Sequence, residues 1–271
     1  MNPRFRALAQ WTLCPLALVS LVMPGFAATD GAAVSKVFKV GSQGRLTVRA
    51  DLGTIEVAAG EADTAQVEVI YAPVGPDGQD NASSLNVDFT QKDDELRVES
   101  RLKPRARPFP VQYRISVPRG FAADLATSGG NITVRDLAGS AQVKTSGGNL
   151  TLSRVGGAVS ASTDGGNIEV EEPLGGAKAR TSGGGITVRL AGQPRKDVQL
   201  TTFGGNVVVV LGAATAVAVD AVAHGGTVTA PAQFHLRSDK DATELSGPLN
   251  GGGPQLTLRS SGGNISLREG E

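Results

Sequence analysis

The chain has 271 residues, with 26 Lys and Arg against 26 Asp and Glu and a formal net charge of zero. Bulk electrostatics therefore give no reason to expect nucleic acid or an anionic membrane surface as a partner. Aromatic residues make up only 4% while glycines number 36, which excludes a large aromatic core and fits a β-rich chain of tight turns and thin aliphatic layers.

Residues 1–28 read as a secretory signal peptide. Arg4 and Arg6 form a basic start, Leu8 to Val22 is largely apolar, and Pro24-Gly25-Phe26-Ala27-Ala28 ends in small residues suited to cleavage. The apolar run is shorter than the roughly 20 residues of a spanning helix, so no transmembrane span is expected after cleavage. Removing the segment takes Arg4 and Arg6 from the 26 basic residues, leaving 24 against 26 acidic ones, a net charge of −2. It also removes Cys14, the single cysteine, so neither disulfides nor thiol chemistry are expected in an exported chain.

Residues 29–118 carry no repeat. Short alternating runs at 36–40, 45–49, 54–57, 65–71, 85–90, 95–100 and 111–117 are separated by Gly, Asp, Asn and Pro clusters such as GPDGQDN at 75–81. That pattern predicts an antiparallel, hairpin-rich β layer. The segment ADLGTIEV at 50–57 already resembles the later repeat, so this part is expected to begin or cap the same stack.

Residues 119–271 are dominated by a recurring unit. TSGGNITV starts at Thr127, TSGGNLTL at Thr145, TDGGNIEV at Thr163 and TSGGGITV at Thr181, each copy 18 residues after the last. The interval lengthens to about 21 at TFGGNVVV (Thr202) and HGGTVTA (His224), and SSGGNISL closes the series at Ser260. Self-similarity at this period is the mark of a solenoid, in which a coil cannot bury its apolar face without neighbours. The expected fold is all-β: an N-terminal β layer continuing into a parallel β-solenoid with coils of 18 to 21 residues. Within a coil, alternation points Ile132 and Val134 inward and Thr133 and Arg135 outward. The return strand points Ala141, Val143 and Thr145 inward and Gln142 and Lys144 outward. The Gly-Gly-Asn corners suit residues tolerant of positive φ. Asn131, Asn149, Asn167, Asn206 and Asn264 fall at one corner, where their amides are expected to form a ladder interrupted at Gly185.

Chemistry-bearing patterns are sparse. The corners lack the helix and Lys of a phosphate loop and the paired carboxylates of calcium-binding β-rolls. The glycosylation-like triplets at Asn131, Asn149 and Asn264 coincide with the corners. His224 and His235 are isolated, so no metal site or cofactor is predicted, and Ser128, Ser146 and Ser182 are corner residues without a base in sight. Asp93-Asp94-Glu95 and Glu169-Glu171-Glu172 leave open a carbohydrate-active β-helix enzyme, which would need acids converging in one cleft. The favoured reading is non-enzymatic, with no catalytic residues: a structural or binding module whose outward Thr, Arg, Lys and Gln rows contact an envelope component. One basic segment stands out, Arg101, Lys103, Arg105 and Arg107 among prolines, a candidate contact for an anionic partner.

Three stretches, RLTVRADLGTIEV (45–57), YRISVPRGFAADLATSGGNITVRDLAGSAQVKTSGGNLTL (113–152) and PLNGGGPQLTLRSSGGNISL (248–267), resemble the DUF4097 "putative adhesin" family of bacterial exported proteins. The resemblance implies a β-helix-like fold and an adhesive or envelope-associated role at the periplasm or cell surface, with no catalytic residues to carry over. The 21-residue coils, Phe203 and His224 depart from the regular corner.

Overall fold

The computed structural model describes residues 32–76, 78–231, 236–238 and 242–270. The expected signal peptide and His235 lie outside them. Among the described residues seven strands precede the repeats: β1 (Ala32–Lys39), β2 (Arg45–Ala50), β3 (Thr54–Ala59), β4 (Thr64–Tyr71), β5 (Leu85–Lys92), β6 (Glu95–Leu102) and β7 (Val111–Val117). The repeats contribute strands in pairs: β8 (Ala122–Thr127) with β9 (Ile132–Arg135), β10 (Ala141–Thr145) with β11 (Leu150–Ser153), and β12 (Val159–Thr163) with β13 (Ile168–Glu171). These are followed by β14 (Ala177–Thr181) with β15 (Ile186–Leu190) and β16 (Val198–Thr202) with β17 (Val207–Leu211). The chain closes with β18 (Val217–Ala223), β19 (Val228–Thr229), β20 (Leu236–Ser238), β21 (Thr243–Leu249), β22 (Gln255–Ser260) and β23 (Ile265–Glu269).

Each repeat places one strand in each of two facing sheets, so the fold is an all-β solenoid. Sheet A runs β1-β4-β7-β3-β9-β11-β13-β15-β17-β23-β19, and sheet B runs β20-β21-β18-β22-β16-β14-β12-β10-β8-β2-β6-β5. Parallel pairing keeps the repeat in register: Ile132 lies beside Leu150, then Ile168, Ile186 and Val207. Across the narrow core, Ala141, Val159, Ala177 and Val198 form the facing ladder. All nine side chains are at most 5% exposed. Along these two ladders the larger residues of sheet A face the Ala and Val of sheet B.

The N-terminal strands differ from the expected antiparallel layer. Only β1–β4, β4–β7 and β5–β6 pair antiparallel. Strands β2 and β3 run parallel to β8 and β9 on one side and to β6 and β7 on the other. They therefore make a full coil of the stack, because ADLGTIEV turns the same corner as the repeats. Phe38 and Phe89 meet at 6.1 Å between ring centres, closing the core under the terminal strands.

Stack order and chain order part company at both ends. The coil β2/β3 sits inside β6/β7, which follows it in sequence. Strands β22 and β23, the last in the chain, lie between β16/β17 and β18/β19. The final SSGGNISL copy is thus an internal coil, and the His224 copy is the outer one.

The corners hold the coils together. A buried hydroxyl ends the sheet B strands β10, β12, β14, β16 and β22: Thr145, Thr163, Thr181, Thr202 and Ser260. Each donates to the glycine carbonyl of the neighbouring coil's corner: Thr163 to Gly148 at 3.0 Å, Thr181 to Gly166 at 2.8 Å and Thr202 to Gly184 at 2.8 Å. Each also accepts from its own corner, as the Thr163 hydroxyl does from the Gly166 N–H at 3.2 Å. The second glycine of the pair is required by proximity. A Cβ at Gly148, Gly166, Gly184, Gly205 or Gly263 would stand 1.9 to 2.1 Å from the next coil's glycine carbonyl oxygen. The Gly-Gly pattern suggests positive φ, yet among the described Gly-Gly pairs of these corners only Gly130 has it, at +132°.

Gly166→Ala is therefore expected to lower the thermal midpoint by several degrees, the equivalent of about 1–3 kcal/mol. Gly147→Ala, whose Cβ would meet nothing within 4 Å, should leave it unchanged or raise it slightly. Equal midpoints in thermal circular dichroism would refute the proximity argument. Deleting 254–271 removes an internal coil, so cooperative unfolding should be lost or its midpoint fall by more than ten degrees or so; a truncated chain melting like the full one would contradict the interleaved order.

Candidate binding surface

Strand alternation that fills the core leaves the outer face of sheet B as a lattice of polar side chains. One register row across it reads Arg49, Ala126, Lys144, Ser162, Arg180, Thr201 and Arg259, one residue per coil. Cations thus stand on every second coil, about 10 Å apart at ordinary strand spacing, with small residues between them. The outermost two are paired: Arg49 with Asp124 at 2.6 Å and Arg259 with Asp220 at 2.5 Å. Lys144 and Lys178 make no ion pair among the described residues, and Arg180 lies 4.7 Å from the Phe203 ring. Phe203 is 46% exposed, one of few large apolar side chains facing solvent.

At the N-terminal end this face dips into a groove of about 490 Å³, lined by Arg49, Asp51, Arg97, Glu99, Arg101, Ser128, Lys144 and Ser146 among others. Glu99 sits between two guanidinium groups. The Arg97 hydrogen bond, helped by the charges of Arg97 and Arg101, holds its carboxyl below the usual value. Asp51 accepts from the Leu102 N–H at 2.9 Å. Both acids of the groove are thereby engaged, and its floor bears more cations than anions.

The basic segment does not form one cluster. Arg101 lines the groove and reaches Glu99 at 2.9 Å. Lys103, Arg105 and Arg107 are exposed on the loop beyond it. That loop is fastened: Phe109 is buried and its ring lies tilted against Tyr71, 6.1 Å between centres. The Arg107 N–H donates to Gln79 Oε1 at 2.8 Å, and Gln79 Nε2 donates back to the Arg107 carbonyl at 3.0 Å.

The asparagines do share one corner, and it is solvent-exposed. Their Oδ1 atoms accept backbone N–H groups of the adjacent coil: Asn149 N–H to Asn131, Asn167 to Asn149, Gly185 to Asn167 and Asn264 to Asn206, each at 2.8 Å. The ladder is therefore side chain to backbone, not amide to amide. At the opposite corner, Asp136, Arg154 and Glu172 each adopt positive φ. Arg154 clasps the Asp136 carboxylate with two donors at 2.6 and 2.9 Å. That hydrogen bond is the main cause of a depressed Asp136 pKa.

The acidic runs do not converge. Glu169 lies on the outer face of sheet A and Glu171 pairs with Arg189 at 3.7 Å, while Asp93 and Asp94 turn the β5–β6 hairpin. His224 is exposed at its corner, its N–H donating to the Ser260 carbonyl at 3.0 Å. Among the described residues no group of His, Cys, Asp and Glu could hold a metal ion, and no helix is long and apolar enough to cross a membrane. Sequence reasoning missed the cation row. The spacing of Lys144, Ser162 and Arg180 is visible in the repeat, but Arg49 and Arg259 enter the row only through the order of coils in the stack.

No protein-family model matches the chain, and no curated protein matches it. Solved structures do. A "putative cell adhesion protein" from Clostridium sporogenes is 10% identical with a TM-score of 0.40, covering 88% of this chain and 100% of that one. A "putative adhesin" from Bacteroides fragilis is 12% identical with a TM-score of 0.43, covering 88% and 97%. Another "putative adhesin", from Parabacteroides distasonis, is 14% identical with a TM-score of 0.32, covering 88% and 98%. At such identities and scores the likeness carries no functional conclusion.

The Asp136–Arg154 pair makes a pH prediction. The folded pKa of Asp136 lies below the unfolded value of about 3.9, so its stabilisation is present above that value and lost as pH falls through the folded one. Asp136→Asn, which tolerates the left-handed backbone, should show a smaller drop in thermal midpoint between neutral pH and about pH 2 than the parent chain. Identical acid profiles would show that the pair contributes nothing to stability.

Proposed function

We propose that this chain is an exported, non-enzymatic module of the bacterial cell envelope that binds a surface component through the outer face of sheet B, without a cofactor. On this reading residues 1–28 are a signal peptide, 29–118 the N-terminal part of one adhesin-like domain and 119–271 its repeats. The observation that carries the proposal is the flat lattice of cations, hydroxyls and amides repeated coil after coil, with the groove at Arg49, Arg101 and Lys144 at one end. A regular surface of modest charge suits contact with an extended partner, whereas catalysis needs acids or nucleophiles gathered at one point. The anchored loop adds Lys103, Arg105 and Arg107 beside the groove as an edge that meets negative charge.

Intact-mass measurement of the exported protein should find it beginning at Ala28 or Thr29; retention of Met1 would defeat the export reading. The mature chain should co-sediment with envelope fragments. Replacing Arg101, Lys103, Arg105 and Arg107 together with Gln should weaken that retention and flatten its salt dependence, since exposed charge contacts are screened over about 8 Å at physiological ionic strength. Unchanged retention removes the loop from the contact. Turnover of a polysaccharide by the purified chain would overturn the non-enzymatic reading.

A further inference from the structure

Resting on that reading of sheet B as the contact face, the geometry points to a ligand class: a linear acidic polysaccharide with a carboxylate on every second sugar, lying along the stack axis across the strands. The row Arg49, Lys144, Arg180, Arg259 repeats at every second coil. A sugar in an extended chain advances by a length close to one strand spacing, so an acid on alternate sugars meets a cation on alternate coils. Ala126, Ser162 and Thr201 between the cations are small enough to leave a shallow path. Flanking rows offer Gln142, Ser160, Lys178 and Gln199 as hydrogen-bonding groups, which suit ring hydroxyls.

Two further features favour sugar over other polyanions. Phe203 is 46% exposed with the Arg180 guanidinium over one face of its ring at 4.7 Å, which leaves the rest of the ring to pack against a pyranose. The charge is also dilute. Asp124 and Asp220 occupy the outer cations, and Asp164 stands exposed at the corner between Lys144 and Arg180. Duplex nucleic acid presents a charge about every 1.7 Å along its axis, far denser than this row.

The test is binding of the mature chain to hyaluronate, which carries a uronate on alternate sugars, against polygalacturonate, neutral dextran, duplex DNA and phosphatidylglycerol vesicles. Hyaluronate should bind in a salt-dependent way, more tightly than polygalacturonate, and dextran should not bind. Lys144→Gln with Arg180→Gln should weaken hyaluronate binding roughly tenfold, as two charge-assisted contacts are lost, and reduce its salt dependence. Phe203→Ser should weaken it without changing that dependence. Arg189→Gln, on the outer face of sheet A, should bind as the parent chain does. Equal or tighter binding of DNA or vesicles, preference for polygalacturonate, or an equal loss in Arg189→Gln would overturn the assignment. Failure to bind hyaluronate, with envelope retention still abolished by the double change, would sink the ligand class and leave the contact face standing. Envelope retention untouched by every change on sheet B would remove both.

Discussion

The structure depends on how closely two coils can approach at a corner. Parallel strands sit about 4.8 Å apart, and the backbone linking the two sheets must keep that spacing while it reverses direction. A side chain at the second corner glycine would meet the next coil's carbonyl at about half that separation, 1.9 Å at Gly148 and Gly166. Once bare, that carbonyl needs a partner inside the core, and the inward Thr hydroxyl supplies it while accepting the corner N–H. Outside the same corner the Asn carbonyl group takes a second N–H from the adjacent coil. Thr, Gly and Asn are thus one device: the glycine permits the approach and the other two satisfy the polar groups that the approach exposes.

A stack built this way has open sheet ends, and open ends invite pairing with other chains. Here the coil β2/β3 is enclosed by β6/β7 and the coil β22/β23 by β18/β19, neither next to it in sequence, and antiparallel strands finish both ends of sheet B. At the N-terminal end, Phe38, Phe89 and the Lys36 ammonium, 4.5 Å from the Phe89 ring, cover the core. Tyr113 adds a tie between the sheets: its hydroxyl donates to Ser100, and burial raises its pKa to about 12. Because neighbours in space are not neighbours in sequence at either end, the terminal coils cannot peel away one at a time.

The same regularity shapes what the surface can recognise. A repeat that fixes one inward set must also fix one outward set, at equal spacing along the axis. Such a face matches extended, periodic ligands better than compact ones, and its features differ from coil to coil only where the outward residues vary. Lys144, Arg180 and Phe203 are such variations, set against Ser162 and Thr201.

Within residues 127–207, the period of 18 and the alternation of Ile132, Thr133 and Val134 determined strands, inward faces and parallel register, because each coil there is followed in space by the next in sequence. The Asn corner was legible for the same reason. The tertiary structure decided the rest: that β2/β3 and β22/β23 are interior coils, that the N-terminal pairing mixes parallel with antiparallel strands, and that Arg49 and Arg259 join the row of Lys144 and Arg180. It also decided that the second corner glycine is there for proximity more than for its φ. These properties depend on which coil lies against which. A local pattern fixes the shape of a coil and its two faces, but the order of coils at the ends is set by contacts between residues far apart in the chain, as Ser260 beside Thr202 shows.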